Sequence, residues 1–137
     1  MSTYLAATMY MDREELRYHV LEEGKAISIT FSGLDNMEKM ETRVFFDEDD
    51  TSIAIRSWAI CKVPEDKKDK VLEVCSNLNK TYRWVKFFID PKSNTVDLAA
   101  DAIVNEDTVG PIVDELVHRA INITDDAYPE LMKAIWG

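Results

Sequence analysis

Apolar side chains recur at every second position in six short runs of this chain, and the runs come in adjacent pairs. Leu16, Tyr18 and Val20 are followed by Ile27, Ile29 and Phe31. Val44 and Phe46 are followed by Ile53 and Ile55, and Val85, Phe87 and Ile89 by Val96, Leu98, Ala100 and Ala102. Alternation of this kind buries one face of a β-strand. Strands joined by a few residues can pair only antiparallel, because a parallel neighbour needs a crossover of a dozen residues or more. The intervening segments read as turns: Glu22-Glu23-Gly24, the acidic tip Asp47-Glu48-Asp49-Asp50, and Pro91 to Asn94. The first run has a rival reading. Asp12-Arg13-Glu14-Glu15 resembles a capping box, which would start a helix running to Gly24. The matched alternation around a glycine turn favours the hairpin.

Helical spacing fills the rest. Residues 2–14 read as a helix capped by Ser2 or Thr3, with Leu5 and Met9 on one face. Pro64 opens a central helix whose Val71, Val74, Cys75, Leu78 and Tyr82 form one buried stripe. Val109, Ile112, Val113, Leu116, Val117, Ala120 and Ile121 mark a third helix. A fourth segment, 125–136, carries Pro129 in its first turns. The order is α-β-β-β-β-α-β-β-α-α. It predicts an α+β fold, an antiparallel sheet of about five to six strands with helices packed on one face. The 137 residues fit one domain spanning 1–137, with no repeat and no low-complexity linker.

Composition narrows the function classes. Sixteen Lys+Arg against 26 Asp+Glu give a net charge of −10. Nucleic acid and anionic membrane are therefore not expected as partners, since both are bound by a basic surface. The basic residues cluster: positions 62–86 hold seven of them against four acidic ones. That stretch reads as a solvated helix face or as a patch that docks an acidic surface. No signal-like segment and no run of about 18 apolar residues is present, which predicts a cytoplasmic protein. Cys61 and Cys75 fit neither a disulfide framework nor a zinc spacing, and Cys75 lies on an apolar helix face, so both read as structural thiols.

Few residues carry chemistry. Four scattered glycines build no phosphate loop. His19 and His118 are the only imidazole bases, and neither neighbours a Ser or Cys in a sharp turn. Counted from Asp47, the acidic tip fails a calcium loop, with Ser52 where Gly is needed and Trp58 where Glu is needed. No catalytic residue, cofactor or metal site is expected. The remaining feature is aromatic. If Val85, Phe87 and Ile89 face the helices, Trp84 and Phe88 point the other way, and Trp58 points away from Ile53 and Ile55. Trp58, Trp84 and Phe88 would then form an exposed patch of the kind that anchors protein interfaces, unless the first or last helix covers them.

Four short motifs occur in order: Val63-Pro64-Glu65, Asn79-Lys80-Thr81-Tyr82, Arg83-Trp84-Val85-Lys86-Phe87, and Asp-Asp-Ala-Tyr-Pro-Glu-Leu at 125–131. With the element order they resemble the YbjN-domain family of bacterial sensory transduction regulators, over about Tyr18 to Leu131. That family is similar in fold to the type III secretion chaperones. The resemblance implies an α+β domain, often paired, without enzyme activity or cofactor. The expectation is a protein-binding module of chaperone-like, adaptor or regulatory type, a homodimer that binds a partner or client segment across an apolar sheet face. The alternative is a regulatory domain that binds a small molecule in a pocket between sheet and helices.

Overall fold

A computed structural model describes residues 1–137. In chain order the elements are α1 (Thr3–Arg13), β1 (His19–Glu22), β2 (Ala26–Ser32), β3 (Lys39–Phe46), β4 (Ser52–Lys62), a 3-10 turn (Glu65–Lys67), α2 (Lys68–Thr81), β5 (Lys86–Asp90), β6 (Thr95–Ile103) and α3 (Val109–Trp136). The six strands form one antiparallel sheet in the order β1-β2-β3-β4-β6-β5. The helix α2 carries the chain past the place beside β4, so β5 lands at the edge and β6 returns between them. Across the middle, Ile27 pairs with Val44, Val44 with Ile55, and Ile55 with Ala100. All four are buried and join a core of 32 residues with α1, α2 and α3. The α+β architecture with helices on one face is the one the alternation implied.

The two C-terminal helices expected from the sequence are one helix of 28 residues. The run Thr124-Asp125 followed by Pro129 looks like a start signal, but its side chains are committed elsewhere. Thr124 Oγ1 donates back to the Ala120 carbonyl at 2.7 Å. The Asp125 carboxylate accepts from the backbone N–H groups of Asp35 (3.1 Å), Asn36 (2.9 Å) and Met37 (2.9 Å) in the β2–β3 loop. Proline inside a helix removes the N–H that would bond to the carbonyl four residues back, here that of Asp125. Asn36 Nδ2 donates to that carbonyl instead, at 3.0 Å.

The first run also differs in part. Residues 16–21 are not helical; the strand begins at His19, and all four residues of β1 are exposed, Val20 included. It is an edge strand lying beyond the helices. The helix α1 is fixed at its N-terminal end. Thr3 N–H and Oγ1 donate to Asp50 Oδ1 at 2.9 and 3.0 Å, and Leu5 N–H donates to Ser2 Oγ. It crosses α3 at Gly110, where an added Cβ would overlap Cβ and Cγ of Tyr10.

Both cysteines are buried and unbridged. Burial pushes the Cys61 and Cys75 thiols up to about 11 each. An unfolded thiol ionises near pH ~8.5, so above that the unfolded chain releases protons the folded chain retains, and stability falls as pH rises toward about 11. Urea titrations across that window should show the fall, and Cys75→Ala should reduce its slope. Asp125→Ala should cost about 3 kcal/mol, because three backbone N–H groups lose a charged acceptor. Urea unfolding should show a lower midpoint at unchanged slope.

Candidate functional site

The sheet face turned away from the helices is left uncovered by the fold. A row of opposed residues crosses all six strands on it: His19, Ser28, Arg43, Arg56, Ala99 and Lys86. The row contains no acidic residue, in a chain of net charge −10. Its cations are tied to neighbours. Arg43 Nε meets Glu41 Oε1 at 2.9 Å, Arg56 Nη1 meets Asp101 Oδ1 at 2.9 Å, and Lys86 Nζ donates to the Asn79 carbonyl at the end of α2.

Trp58 stands next to this row and is 50% exposed. Its ring lies 6.0 Å from that of Phe45, and the Arg43 guanidinium sits 5.0 Å from its centroid. A bulge puts it there. Ser57 pairs with Leu98 and Cys61 with Val96, so β4 spends four steps where β6 takes two. Bulges of this kind bend a strand and re-aim its side chains. Ala59 takes φ 56° within it, and its N–H donates to Asp97 Oδ1 at 2.8 Å. Thr95 Oγ1 donates to the same oxygen at 2.8 Å, and Asp97 is only 3% exposed. A buried carboxylate therefore holds the bulge in shape. Phe88 lies directly opposite Asp97 on β5 and is exposed. Trp58 and Phe88 flank β6, two strand spacings apart, or about 10 Å.

Trp84 departs from expectation. It was expected beside Phe88, but β5 begins only at Lys86. Val85 N–H donates to the Arg83 carbonyl at 2.9 Å, with Trp84 between them at φ 79°. This three-residue turn swings the indole off the sheet. Trp84 lies under the Arg119 guanidinium of α3, 5.8 Å away, and lines a groove of about 530 Å³ with Ala102, Ile112 and Leu116. The structure thus brings Trp58 and Phe88 to one face and separates Trp84 from both. Phe45, Arg43 and Asp97 were missed. Phe45 was legible in the run Val44-Phe45-Phe46, where alternation must turn the middle ring away from the core.

His19 is exposed on β1. His118 Nδ1 contacts the Asp114 carbonyl at 2.7 Å and carboxylate at 3.0 Å. In the acidic tip, Asp50 holds α1, Asp49 accepts from Thr51, and Asp47 bonds Ser52. A cavity of about 350 Å³ opens between the end of α1, β2 and α3.

The model for the family described as "Putative bacterial sensory transduction regulator", YbjN, matches residues 8–133. The chain belongs to the YbjN family. Its fold is similar to that of YbjN from E. coli, described as "a putative transcription regulator", at TM-score 0.62 and 13% identity, over 89% of this chain and 88% of that one. A chain of the ExsC–ExsE complex is similar at TM-score 0.60 and 12% identity, over 91% and 92%. No curated protein sequence matches. As a YbjN-family member the chain shares an architecture, while the residues of its open face are read from this structure alone.

Asp97→Ala should free the bulge. We expect a loss of about 2 kcal/mol from the two orphaned donors. Trp58 should become more mobile, read as lower fluorescence anisotropy in a Trp84→Phe, Trp136→Phe background.

Proposed function

We propose that the chain is a non-enzymatic, cytoplasmic protein-binding module that works as a homodimer and takes a partner segment across its open sheet face. One observation carries this reading: exposed Trp58 and Phe88, with Phe45, stand on a face that no helix covers, and a buried carboxylate fixes the bulge that presents Trp58. Large exposed aromatics cost solubility and anchor interfaces. The adjacent arginines supply donors for the carboxylates or carbonyls of a bound segment. The YbjN description as a regulator supports the same reading, as does the likeness to a chain taken from a two-protein complex.

A second reading rests on the cavity between sheet and helices. A pocket of that size with an apolar floor suits a regulatory domain that binds a small molecule.

The test is capture of partners by tagged protein from native lysate, with light scattering on the purified chain. Trp58→Ala and Phe88→Ala should each reduce retention of a stoichiometric partner roughly tenfold, as for interface anchors worth over about 1 kcal/mol. Melting temperature should hardly change, because both rings are half-exposed. Trp84→Ala, on the other side, should leave retention intact. Retention indifferent to Trp58 and Phe88, or a monomer by scattering, would remove this reading.

A further inference from the structure

The cavity at the end of α1 has a floor and a charged rim that differ in kind. Met11, Ile29, Phe31 and Val117 make an apolar floor, and Glu15, Arg17 and His118 stand at the mouth. At about 350 Å³ it falls at the small end of the ~300–1,000 Å³ range of ligand sites.

The rim is built by the way α1 stops. Glu15 N–H donates to the Asp12 carbonyl at 3.2 Å and Leu16 N–H to the Met11 carbonyl at 2.8 Å. This is a Schellman end, in which the left-handed position is ordinarily glycine. Here that position is Glu15, at φ 58°. A strained side chain where glycine would be easier is a recurrent mark of a functional position. Its carboxylate has no ion pair or hydrogen bond within the chain, and neither does the Arg17 guanidinium two residues on. His118 is held differently. Asp114 engages Nδ1, and the edge-to-face contact with Phe31 at 5.2 Å sets the ring, so Nε2 is the nitrogen left for a ligand.

We infer that this cavity binds a free apolar α-amino acid. The inference rests on the small-molecule reading above and names the ligand class for it. A simple carboxylate would be drawn by Arg17 and repelled by Glu15, and a simple amine the reverse. A zwitterion satisfies both. Its carboxylate meets Arg17, its ammonium meets Glu15 and donates to His118 Nε2, which accepts because Nδ1–H is held by Asp114, and its side chain covers Ile29, Phe31 and Val117. Asp114 is the other acidic group at the mouth and is already committed to His118.

The experiment is calorimetry and thermal shift on the full chain with L-phenylalanine, 3-phenylpropionate and phenethylamine. Phenylalanine should bind and raise the melting temperature, and each analogue should bind at least about tenfold more weakly, the loss expected of one charge-assisted contact. Arg17→Ala and Glu15→Gly should each weaken phenylalanine by a similar factor. Glu15→Gly should melt at or above the parent temperature, because glycine relieves the left-handed conformation, so weaker binding there cannot be ascribed to unfolding. Analogues binding as well as phenylalanine, or either variant binding unchanged, would overturn the amino-acid inference and leave a small-molecule site standing. No binding by any of the three would overturn both.

Discussion

The junction of Asp125 and Asn36 ties the last helix to the sheet, and most of the architecture depends on it. Asp125 is 7% exposed, and three backbone N–H groups are aimed at its carboxylate, which offsets the cost of burying it. Those donors come from the β2–β3 loop, which would otherwise need partners of its own. In return Asn36 satisfies the carbonyl that Pro129 leaves open. Without this exchange α3 would have good reason to break at Pro129. Unbroken, it carries apolar residues from Val109 to Ile135 into one core and packs against α1, α2 and the sheet.

Covering one face so thoroughly leaves the other uncovered, and the two faces are built by different rules. The helix side is filled by Ile, Val and Leu in register across strands. The open side alternates small residues such as Ala54 and Ala99 with arginines and a few rings. Asp97 belongs to the open-face positions by alternation, yet it is buried because the β4 bulge folds over it. The same bulge releases Trp58. One local insertion thus creates both the buried carboxylate and the exposed indole, and they should be perturbed together.

Much of this was legible because strand alternation is a two-state signal. Ile27, Val44, Ile55 and Leu98 could face only one way once the core lay on one side. The order of strands was not legible, since hairpin pairing says nothing about β6 returning between β4 and β5. Nor was the unbroken α3. Thr124, Asp125 and Pro129 spell a helix start, and only the distant Asn36 changes their meaning. Trp84 was misplaced because the run from Arg83 to Asp90 alternates well on paper. A single residue at positive φ delays the start of the strand by three positions, to Lys86, and nothing in a tryptophan announces positive φ. The cavity rim escaped notice for a related reason: Glu15 occupies a glycine position, so the signal that usually marks the end of a helix is missing.

The treatment of the sheet's edges argues for how the open face is used. An exposed strand edge invites pairing with any other chain. At β5 the edge is occupied by Asn79, whose Oδ1 accepts from Phe87 N–H at 2.7 Å and whose Nδ2 donates to the Phe87 carbonyl at 2.9 Å. One side chain thereby imitates the backbone of a neighbouring strand. At the other edge β1 is four residues long, and a register shift interrupts its pairing with β2. Backbone pairing is sequence-blind, so blunted edges remove the least selective way of attracting a partner. What the sheet still offers is its face, where Trp58, Phe45, Phe88 and the arginines present side chains rather than backbone. A surface arranged in this way fits the proposed reading, in which a particular segment is bound rather than any extended one.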